Sequence, residues 1–382
     1  MRKLLPWLCC GLLSWAGAAG AQQDPAPARD AVSVIRAGHF IDVLTGRSLA
    51  NQSILIRGSK IEAVGANLKV PDGAQVIDLS GMTVLPGLVD CHTHLADLGG
   101  NDNGEPLNLL RFSAVETAYA AIPNARATLL SGFTTVRDVG VYRALNDVAM
   151  RDAIAKGIII GPRMYVAGAY ITITGGAGAM TGLAPDIALP LDMRFGIANS
   201  PWEVRERIRE LAHRGADHIK VLSTGAVLTH GSNPKSIEFT PEELRAAVEE
   251  AAAFGLRVEA HAHAAEGIKN AIRAGVASVE HATLIDDEGI ALAKQHGTYL
   301  DMDIYDEECI QHGSTPADFL AHDADLAAAQ RHNFTKAVKA GVKMSFGTDA
   351  GVCPYDVAAK QFAFMVQYGM TPMQAIDRKS VV

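Results

Sequence analysis

Apolar, strand-like runs alternate with amphipathic helical stretches from about residue 83 to residue 348, and this alternation restricts the chain to very few folds. It is typical of parallel β/α units, in which each helix returns the chain to the same edge of a sheet. Eight strands are predicted, at Thr83–Asp90, Thr134–Asp138, Arg163–Ala167, His218–Leu222, Arg257–His261, Ser278–His281, Thr298–Met302 and Lys343–Thr348. The sequence therefore predicts an α/β fold with a TIM-type (β/α)8 barrel over residues 83–376.

Helices are predicted between these strands, and several of them are followed by a glycine suited to a helix stop. They cover Leu107–Leu130, Pro201–Arg214, Pro241–Phe254, Ala265–Ala274, Asp286–His296 and Asp323–Ala340. One stretch, Tyr170–Ser200, has neither helical nor strand periodicity and is rich in Gly, Ala and Pro. We expect a long loop over the barrel mouth there, with a disordered excursion as the alternative.

The residues before the barrel have a different pattern. Short β-type segments are separated by Gly and Asn turns, at Val32–Arg36, Ser53–Arg57, Lys60–Val64 and Gln75–Leu79. They predict a small, mostly antiparallel, β-sandwich-like domain over residues 32–82. Earlier still, Arg2 and Lys3 precede an apolar stretch that is followed by Ala19-Gly20-Ala21, the pattern of a signal peptide over residues 1–21.

Such a signal peptide predicts a periplasmic or secreted bacterial protein, with residues 22–31 as a flexible leader. The apolar stretch is shorter than the roughly 20 residues that span a bilayer, so no stable membrane anchor is expected. Removing residues 1–21, with two positive charges and no negative ones, changes the formal charge from −8 to −10 and argues against a nucleic-acid partner. The remaining Cys91, Cys309 and Cys353 are odd in number and widely spaced, which argues against a disulfide framework.

Two histidines, His92 and His94, follow the apolar run Val84–Val89 directly. Alternate residues of a strand point to the same side, so both imidazoles can reach one metal ion. A polar turn that contains two histidines by chance is the alternative. Both histidines lie at the C-terminal end of a predicted barrel strand. Active sites of such barrels lie at this end, which favours metal binding.

Four more candidate ligands lie at the ends of later strands, namely Lys220, His261, His281 and Asp349. Each alone is more often structural or solvated, but their joint placement at one barrel mouth predicts a metal site. Lys220 lies in an apolar strand, where a neutral amine can react with carbon dioxide to give an anionic, bridging carbamate. Mixed nitrogen and oxygen ligands of this kind suit two zinc ions, with cobalt and manganese as alternatives.

A pair of divalent cations predicts hydrolysis of an amide-type bond, in which a bridging hydroxide attacks a polarised carbonyl. Asp349 is the predicted catalytic residue, because its carboxylate can take the proton from the hydroxide and pass it to the leaving nitrogen.

The motifs around these residues resemble those of the binuclear metal-dependent amidohydrolase superfamily. The motifs are Phe133-Thr-Thr-Val-Arg-Asp-Val-Gly, Ile219-Lys-Val-Leu-Ser-Thr-Gly, His261-Ala-His-Ala, Val279-Glu-His-Ala-Thr, Met302-Asp-Ile-Tyr and Gly347-Thr-Asp-Ala-Gly. Within that superfamily the chain is most similar to exported zinc-dependent carboxypeptidases that release C-terminal arginine or lysine, and to Xaa-Pro dipeptidases. The resemblance covers residues 32 to about 376.

The resemblance implies a specific assignment of ligands. One metal ion is bound by His92, His94 and Asp349, the other by His261 and His281, and a carboxylated Lys220 bridges both.

Two further histidines, His230 and His263, resemble substrate-contact positions, with an exposed loop histidine as the alternative in each case. Arg137 is expected to neutralise a carboxylate at the rim rather than to orient groups near the first metal ion.

The resemblance implies a small peptide or an N-acyl amino acid as substrate. Four acidic residues after the seventh predicted strand, Asp303, Asp306, Glu307 and Glu308, are a candidate acidic rim that would select a basic C-terminal residue. An ordinary solvated charge cluster is the alternative. Prolidase-like or hydrophobic-residue specificity, including cleavage of amide-linked toxins such as ochratoxin, stays open. Deamination or ring opening of a nucleobase-like substrate, an inactive scaffold protein and a homo-oligomeric state stay open as well.

The chain departs from the resemblance at its end. Relatives continue with the rest of the last helix and with strands of the small β domain, whereas residues 377–382 read Asp-Arg-Lys-Ser-Val-Val. An atypical, truncated end of this kind is expected to leave the small sheet incomplete, with an exposed edge and lowered stability.

Overall fold

The computed structural model describes residues 31–98, 109–312 and 317–377. The predicted signal peptide, almost all of the flexible leader and the last five residues of the atypical end lie outside these ranges. The described chain divides into two units, one made of residues 31–42 and 47–85, and the other of residues 43–46 and 86–377.

The first unit is a four-stranded sheet. Its strands are β1 (Val32–Asp42), β2 (Arg47–Arg57), β3 (Lys60–Gly65) and β4 (Gln75–Val84), in the order β3-β2-β1-β4. The pairs β1–β2 and β2–β3 are antiparallel, and β1–β4 is parallel. The described residues of this unit form one sheet, so the second layer of the predicted sandwich stays a prediction.

The edge strand β4 leaves apolar side chains in solvent. Val76 and Ile77 are 42% and 39% exposed, and Met82 is 62% exposed. In contrast, Val34 of β1 and Ile54 of β2 are buried. The core of this unit therefore lies along its two central strands.

The second unit contains eight further strands in two parallel sheets. They are β5 (Leu88–Thr93), β6 (Phe133–Asp138), β7 (Arg163–Val166), β8 (Tyr170–Ile171), β9 (Ile219–Leu222), β10 (Val258–Ala262), β11 (Ser278–His281) and β12 (Tyr299–Asp301). One sheet has the order β5-β6-β7 and the other β12-β11-β10-β9-β8. All four residues of β9 and of β11 and all five of β10 are buried, as parallel strands covered by helices require.

The predicted eighth strand, Lys343–Thr348, is not a continuous strand. Its backbone nevertheless forms hydrogen bonds on both sides, from Leu300 N–H to Lys343 O (3.0 Å) and from Cys91 N–H to Phe346 O (2.8 Å). This segment thus connects β12 of one sheet to β5 of the other. Gly347 lies in this segment, where a side chain would collide with the carboxylate of Asp301.

Helices separate most of these strands. They are α1 (Ala114–Leu130), α2 (Asn146–Ala155), α3 (Pro201–His213), α4 (Pro241–Ala253), α5 (Ala265–Ala274), α6 (Asp287–His296), α7 (Asp306–His312), α8 (Ala317–Ala340), α9 (Gln361–Gln367) and α10 (Pro372–Ile376). Ser200 caps α3, and a capping box formed by Thr240 and Glu243 begins α4.

Two local predictions were wrong. The predicted loop Tyr170–Ser200 begins with strand β8, which pairs with Lys220 and Val221 of β9. Helix α8 begins at Ala317 rather than at Asp323. Three acids of the candidate acidic rim form the first turn of α7, where they offset the partial positive charge of the helix N-terminus.

The sequence argued against a disulfide framework, but the structure contains a disulfide. Cys309 of α7 is bonded to Cys353, with 5.3 Å between their Cα atoms, whereas Cys91 is buried and is not part of a disulfide. The two bonded residues are separated by 44 positions, and cysteine spacing in the sequence does not reveal which segments meet in space.

Within the described ranges, no helix combines the length and the apolar composition that would let it cross a membrane.

Candidate metal centre

Five of the six predicted ligands lie near the C-terminal ends of the strands or directly after them, and Lys220 is the second residue of its strand. His92 is in β5, Lys220 in β9, His261 in β10 and His281 in β11, while His94 and Asp349 follow β5 and the segment 343–348. Because the C-terminal ends of parallel strands meet at one edge, their side chains converge. All six line a single cavity of about 520 Å³.

His92, His94 and Asp349 form the first group of candidate ligands. The Asp349 Oδ1 atom lies 3.1 Å from His94 Nε2 and 3.4 Å from His92 Nε2. One ligand atom from each residue lies within 4.8 Å of the other two, which is the spacing that a shared metal ion requires.

The second group contains His261, His263 and His281, whose ligand atoms also lie within 4.8 Å of one another. The ring centroid of His281 is 4.6 Å from that of His261 and 4.7 Å from that of His263. The His281 ring is also 4.9 Å from the ring of His92, so the two groups are neighbours. His263, predicted to contact substrate, therefore lies among the candidate ligands as well.

Hydrogen bonds fix which nitrogen of three histidines faces the cluster. The Nδ1–H of His94 donates to Gly140 O (2.8 Å), which leaves Nε2 available. The Nδ1–H of His281 donates to Asp303 (2.8 Å), which also leaves Nε2. His261 uses Nε2 to donate to a backbone carbonyl (3.2 Å), so its Nδ1 is available. Such partners orient imidazole ligands in metal sites.

Burial keeps several of these imidazoles in the form that binds metal. Desolvation holds the pKa of His92, His261 and His263 well below the ordinary value. At neutral pH these rings are therefore uncharged, and the neutral ring has the free lone pair that a metal ion needs.

Lys220 is the most unusual residue of the cluster. It is 1% exposed, and its Nζ atom has no hydrogen-bond partner in the described part of the chain. Burial is the largest cause that lowers the pKa of His92, and the positive charge of Lys220 is the second largest. The same charge also lowers the pKa of His261. The amine thus lies close to both groups of histidines. A buried amine without a partner is costly, which is an argument for chemical modification or a ligand.

Arg137 was predicted to neutralise a carboxylate at the rim, but it lies beneath the cluster and is 3% exposed. Its guanidinium binds Glu259 (2.8 Å) and Glu280 (3.0 Å), and its Nε–H donates to Cys91 O (2.6 Å). Glu280 in turn lies 3.3 Å from His92 Nδ1. Arg137 therefore contacts the candidate ligands indirectly, through a carboxylate that lies beside the ring of His92.

Four acidic residues of this shell were missed as orienting groups: Glu259, Glu280, Asp301 and Asp303. Glu259, Glu280 and Asp301 lie in apolar strands, and Asp303 lies two residues after the end of β12. All four are buried. The sequence offered one signal for these residues, namely acidic side chains within apolar strands. Ionised carboxylates are rarely buried unless they are paired, so such side chains indicate a buried partner.

We expect Glu280→Gln to weaken zinc binding by roughly 10- to 100-fold, because the neutral amide orients His92 less strongly than a carboxylate does. Zinc affinity would be measured by competition with a chelator. Glu266→Gln is the matched control, because the Glu266 side chain is 57% exposed. Parental zinc affinity in a folded Glu280→Gln protein would contradict this role.

The backbone is strained at the cluster. Five described residues other than glycine have a left-handed backbone, and three of them, His281, Ala282 and Asp349, belong to the site, with φ of 65°, 47° and 50°. Such conformations cost free energy and concentrate where function requires a fixed geometry.

The Gly-rich stretch that was predicted to cover the mouth does line the cavity, through Ala177–Thr181. Its backbone is held by Glu238, whose carboxylate oxygens accept from Ala177 N–H at 2.9 Å. His230, predicted to contact substrate, also lines the cavity and is exposed, and its carbonyl accepts from Thr181 Oγ1 (2.5 Å).

We expect Glu238→Gln to change how stability depends on pH. Burial raises the pKa of Glu238 to about 7, so the folded chain holds a proton that the unfolded chain has lost above its ordinary value of 4.5. The native state is therefore destabilised progressively as pH rises from about 4.5 to above 7, by at most about 3 kcal/mol. The glutamine variant lacks this loss.

Urea unfolding of both proteins between pH 5 and pH 8.5 would measure the difference. The stability of the parent relative to Glu238→Gln should fall with rising pH, whereas Glu206→Gln, at an exposed position, should show no such trend. A constant difference for Glu238→Gln would show that the carboxyl titrates normally.

The donor set fits a pair of divalent cations. It combines histidine nitrogens and a carboxylate in two adjacent groups, with a buried, partnerless amine beside both. Nitrogen and oxygen donors in this mixture are typical of zinc and related transition metals.

Comparison with known proteins identifies the class. The amidohydrolase family matches residues 83–379, and the chain belongs to this family. The ochratoxinase of Aspergillus niger is 34% identical over 376 residues, which cover 90% of this chain and 74% of the relative. The imidazolonepropionase of Chromobacterium violaceum is 25% identical over 369 residues, 86% of this chain and 78% of the relative.

Solved structures agree with this assignment. A Xaa-Pro dipeptidase with methionine bound in its active site superposes with a TM-score of 0.84 and 36% identity, over 91% of this chain and 86% of that one. The structure of A. niger ochratoxinase gives a TM-score of 0.78 and 30% identity, over 91% and 82%. The chain is an enzyme, a metal-dependent hydrolase of amide bonds.

Proposed function

We propose that this chain hydrolyses the amide bond of a small peptide or an N-acyl amino acid and releases the C-terminal amino acid. The proposal rests mainly on the environment of Lys220. Its buried amine has no hydrogen-bond partner in the described chain and lies close to both groups of histidines. The relatives named Xaa-Pro dipeptidase and ochratoxinase support a substrate of this class.

In this proposal His92, His94 and Asp349 would hold one zinc ion, and His261 and His281 would hold a second. A carbamate on Lys220 would be a ligand of both. Bound divalent cations lower the pKa of a water molecule and polarise the carbonyl of the scissile amide.

The side chains of the site have separate tasks. Asp349 accepts the proton of the attacking water and delivers it to the leaving nitrogen, because its carboxylate is buried and faces the cavity. Asp303 accepts a hydrogen bond from the ring of His281, and Glu280 lies beside the ring of His92. His230 and His263, which also line the cavity, contact the substrate, and His263 is fixed by Thr283 Oγ1 (2.8 Å).

The same proposal includes a closed TIM-type barrel. The segment 343–350 connects β12 to β5, and Asp217 N–H donates to Val166 O (2.8 Å) between β7 and the segment leading into β9. These hydrogen bonds support closure of the two parallel sheets into one cylinder.

We also propose that residues 1–21 direct export. The test is whether the chain is recovered from a periplasmic fraction without these residues.

The function is tested with zinc-loaded protein and a panel of dipeptides ending in Arg, Lys, Pro and Phe, together with N-acetyl-phenylalanine. Release of the free C-terminal amino acid is expected for at least one substrate, far above the release by Asp349→Asn. Preference for the proline substrate would identify a prolidase, and preference for N-acetyl-phenylalanine an ochratoxinase-like amidase. No release from any substrate would contradict the proposal.

A further inference from the structure

The acidic residues around the cavity already have partners within the chain. Asp303 is 2% exposed and accepts hydrogen bonds from His281 (2.8 Å) and from Gln330 (2.9 Å). Asp306 also has an interaction inside the chain. A cationic group of a substrate would therefore have to compete with these partners.

A single arginine forms ion pairs with the other two acids of α7. Arg331 of α8 forms ion pairs with Glu307 (2.8 Å) and with Glu308 (3.0 Å). Its Nε–H donates to Ile304 O (3.1 Å), and its guanidinium lies 5.1 Å from the ring centroid of Phe364. Because Arg331 is held by all these partners, a basic substrate side chain would have to compete with it for Glu307.

Apolar side chains make up much of the remaining wall. They come from α7, α8 and the loops after β9 and Asp349, and include Val227, Leu228, Ile310, Leu326, Val352 and Val357. Ile310 and Leu326 are 5% and 6% exposed. An apolar side chain placed against this wall would gain from burial, whereas an ammonium or guanidinium would lose water and would have to compete with Arg331 or another existing partner for the nearby acids.

We infer that the amino acid released by this enzyme has an apolar, uncharged side chain, of the methionine, leucine or phenylalanine class, and not a basic one. The inference rests on the proposed function and names the substrate class of the same site. It replaces selection of a basic residue by an acidic rim.

The test compares alanyl-methionine with alanyl-lysine, because the two side chains have similar length and differ mainly in charge. The kcat/KM for alanyl-methionine should be at least about tenfold higher, the effect of one uncompensated buried charge. Equal or faster cleavage of alanyl-lysine would overturn the inference.

A binding measurement separates this inference from the proposed function. Calorimetric titration of zinc-loaded protein with free methionine and free lysine should show methionine bound at least about tenfold more tightly. If neither dipeptide is cleaved, the proposed function fails, while the ratio of the two affinities still decides the inference. Equal affinities, or tighter binding of lysine, would overturn it.

Arg331→Met then tests the physical cause. The variant keeps an apolar stem beside Phe364 but releases Glu307 and Glu308, so the lysine-to-methionine ratio of kcat/KM should rise by about tenfold. Lys336→Met, on the same helix and paired with Asp287, is the matched control and should leave the ratio unchanged. An unchanged ratio in Arg331→Met would show that its charge does not exclude basic substrates.

Discussion

Lys220→Ala should bind less than half of the zinc of the parent chain and should lose on the order of a thousandfold in kcat/KM. The amine lies beside both groups of histidines and is buried without a hydrogen-bond partner in the described chain. As a carbamate it would supply an oxygen to each of two cations, so its removal weakens both sites together. A loss of about 4 kcal/mol in transition-state stabilisation corresponds to a thousandfold in rate.

Zinc per chain would be measured by atomic emission after dialysis, and folding by circular dichroism. Lys336→Met removes an amine from a helix surface and serves as the control. Added propionate, a small carboxylate that can enter the space left by the side chain, should restore part of the zinc and part of the activity. A folded Lys220→Ala protein with the parental zinc content would refute the carbamate bridge.

Asp349→Asn should lower kcat by roughly 100- to 10,000-fold, which is the contribution of a positioned proton-transfer group. The carboxylate lies 3.1 Å from His94 Nε2 and lines the cavity, where it can reach both an attacking water and a leaving nitrogen. Asparagine has nearly the same shape but cannot accept and release this proton. Its left-handed backbone, with φ of 50°, is also well tolerated by asparagine.

Single-turnover kinetics with saturating substrate would measure this loss, with zinc content determined on the same samples. The control is Asp287→Asn, a change at a side chain that is 84% exposed. Turnover equal to the parent would remove Asp349 from the catalytic role. A parental zinc content with reduced kcat would separate its role in proton transfer from its role as a ligand.

Much of the candidate site could be predicted because most of its residues lie in apolar strands or directly after them. The pattern that predicts β9, β10 and β11 also places Lys220, His261 and His281 at one edge of a parallel sheet. Period and composition are local properties, and here they determine which side chains leave the sheet at the same end.

Other parts of the site could not be predicted because they depend on contacts between distant segments. The hydrogen bond from His281 to Asp303 and the ion pair between Arg137 and Glu280 join residues 22 and 143 positions apart. The bond between Cys309 and Cys353 is of the same kind. Such pairs follow from the packing of the strands, which no local pattern specifies.

The eighth strand shows a different limit. The apolar run in Lys343–Thr348 correctly indicated a segment that hydrogen-bonds to β12 and β5. Its sequence did not reveal that the segment is not a continuous strand, or that Gly347 packs closely against Asp301. Residue propensities can predict that a segment belongs to a sheet. They predict less well whether the segment forms a regular strand.

Anomalous diffraction at the zinc edge, from crystals of zinc-loaded protein, tests the metal centre most directly. Two peaks are predicted, one among His92, His94 and Asp349 and the other beside His261 and His281, with density for a carbamate on Lys220 between them. A single peak, or peaks away from Lys220, would contradict the two-metal centre on which the proposed hydrolysis depends.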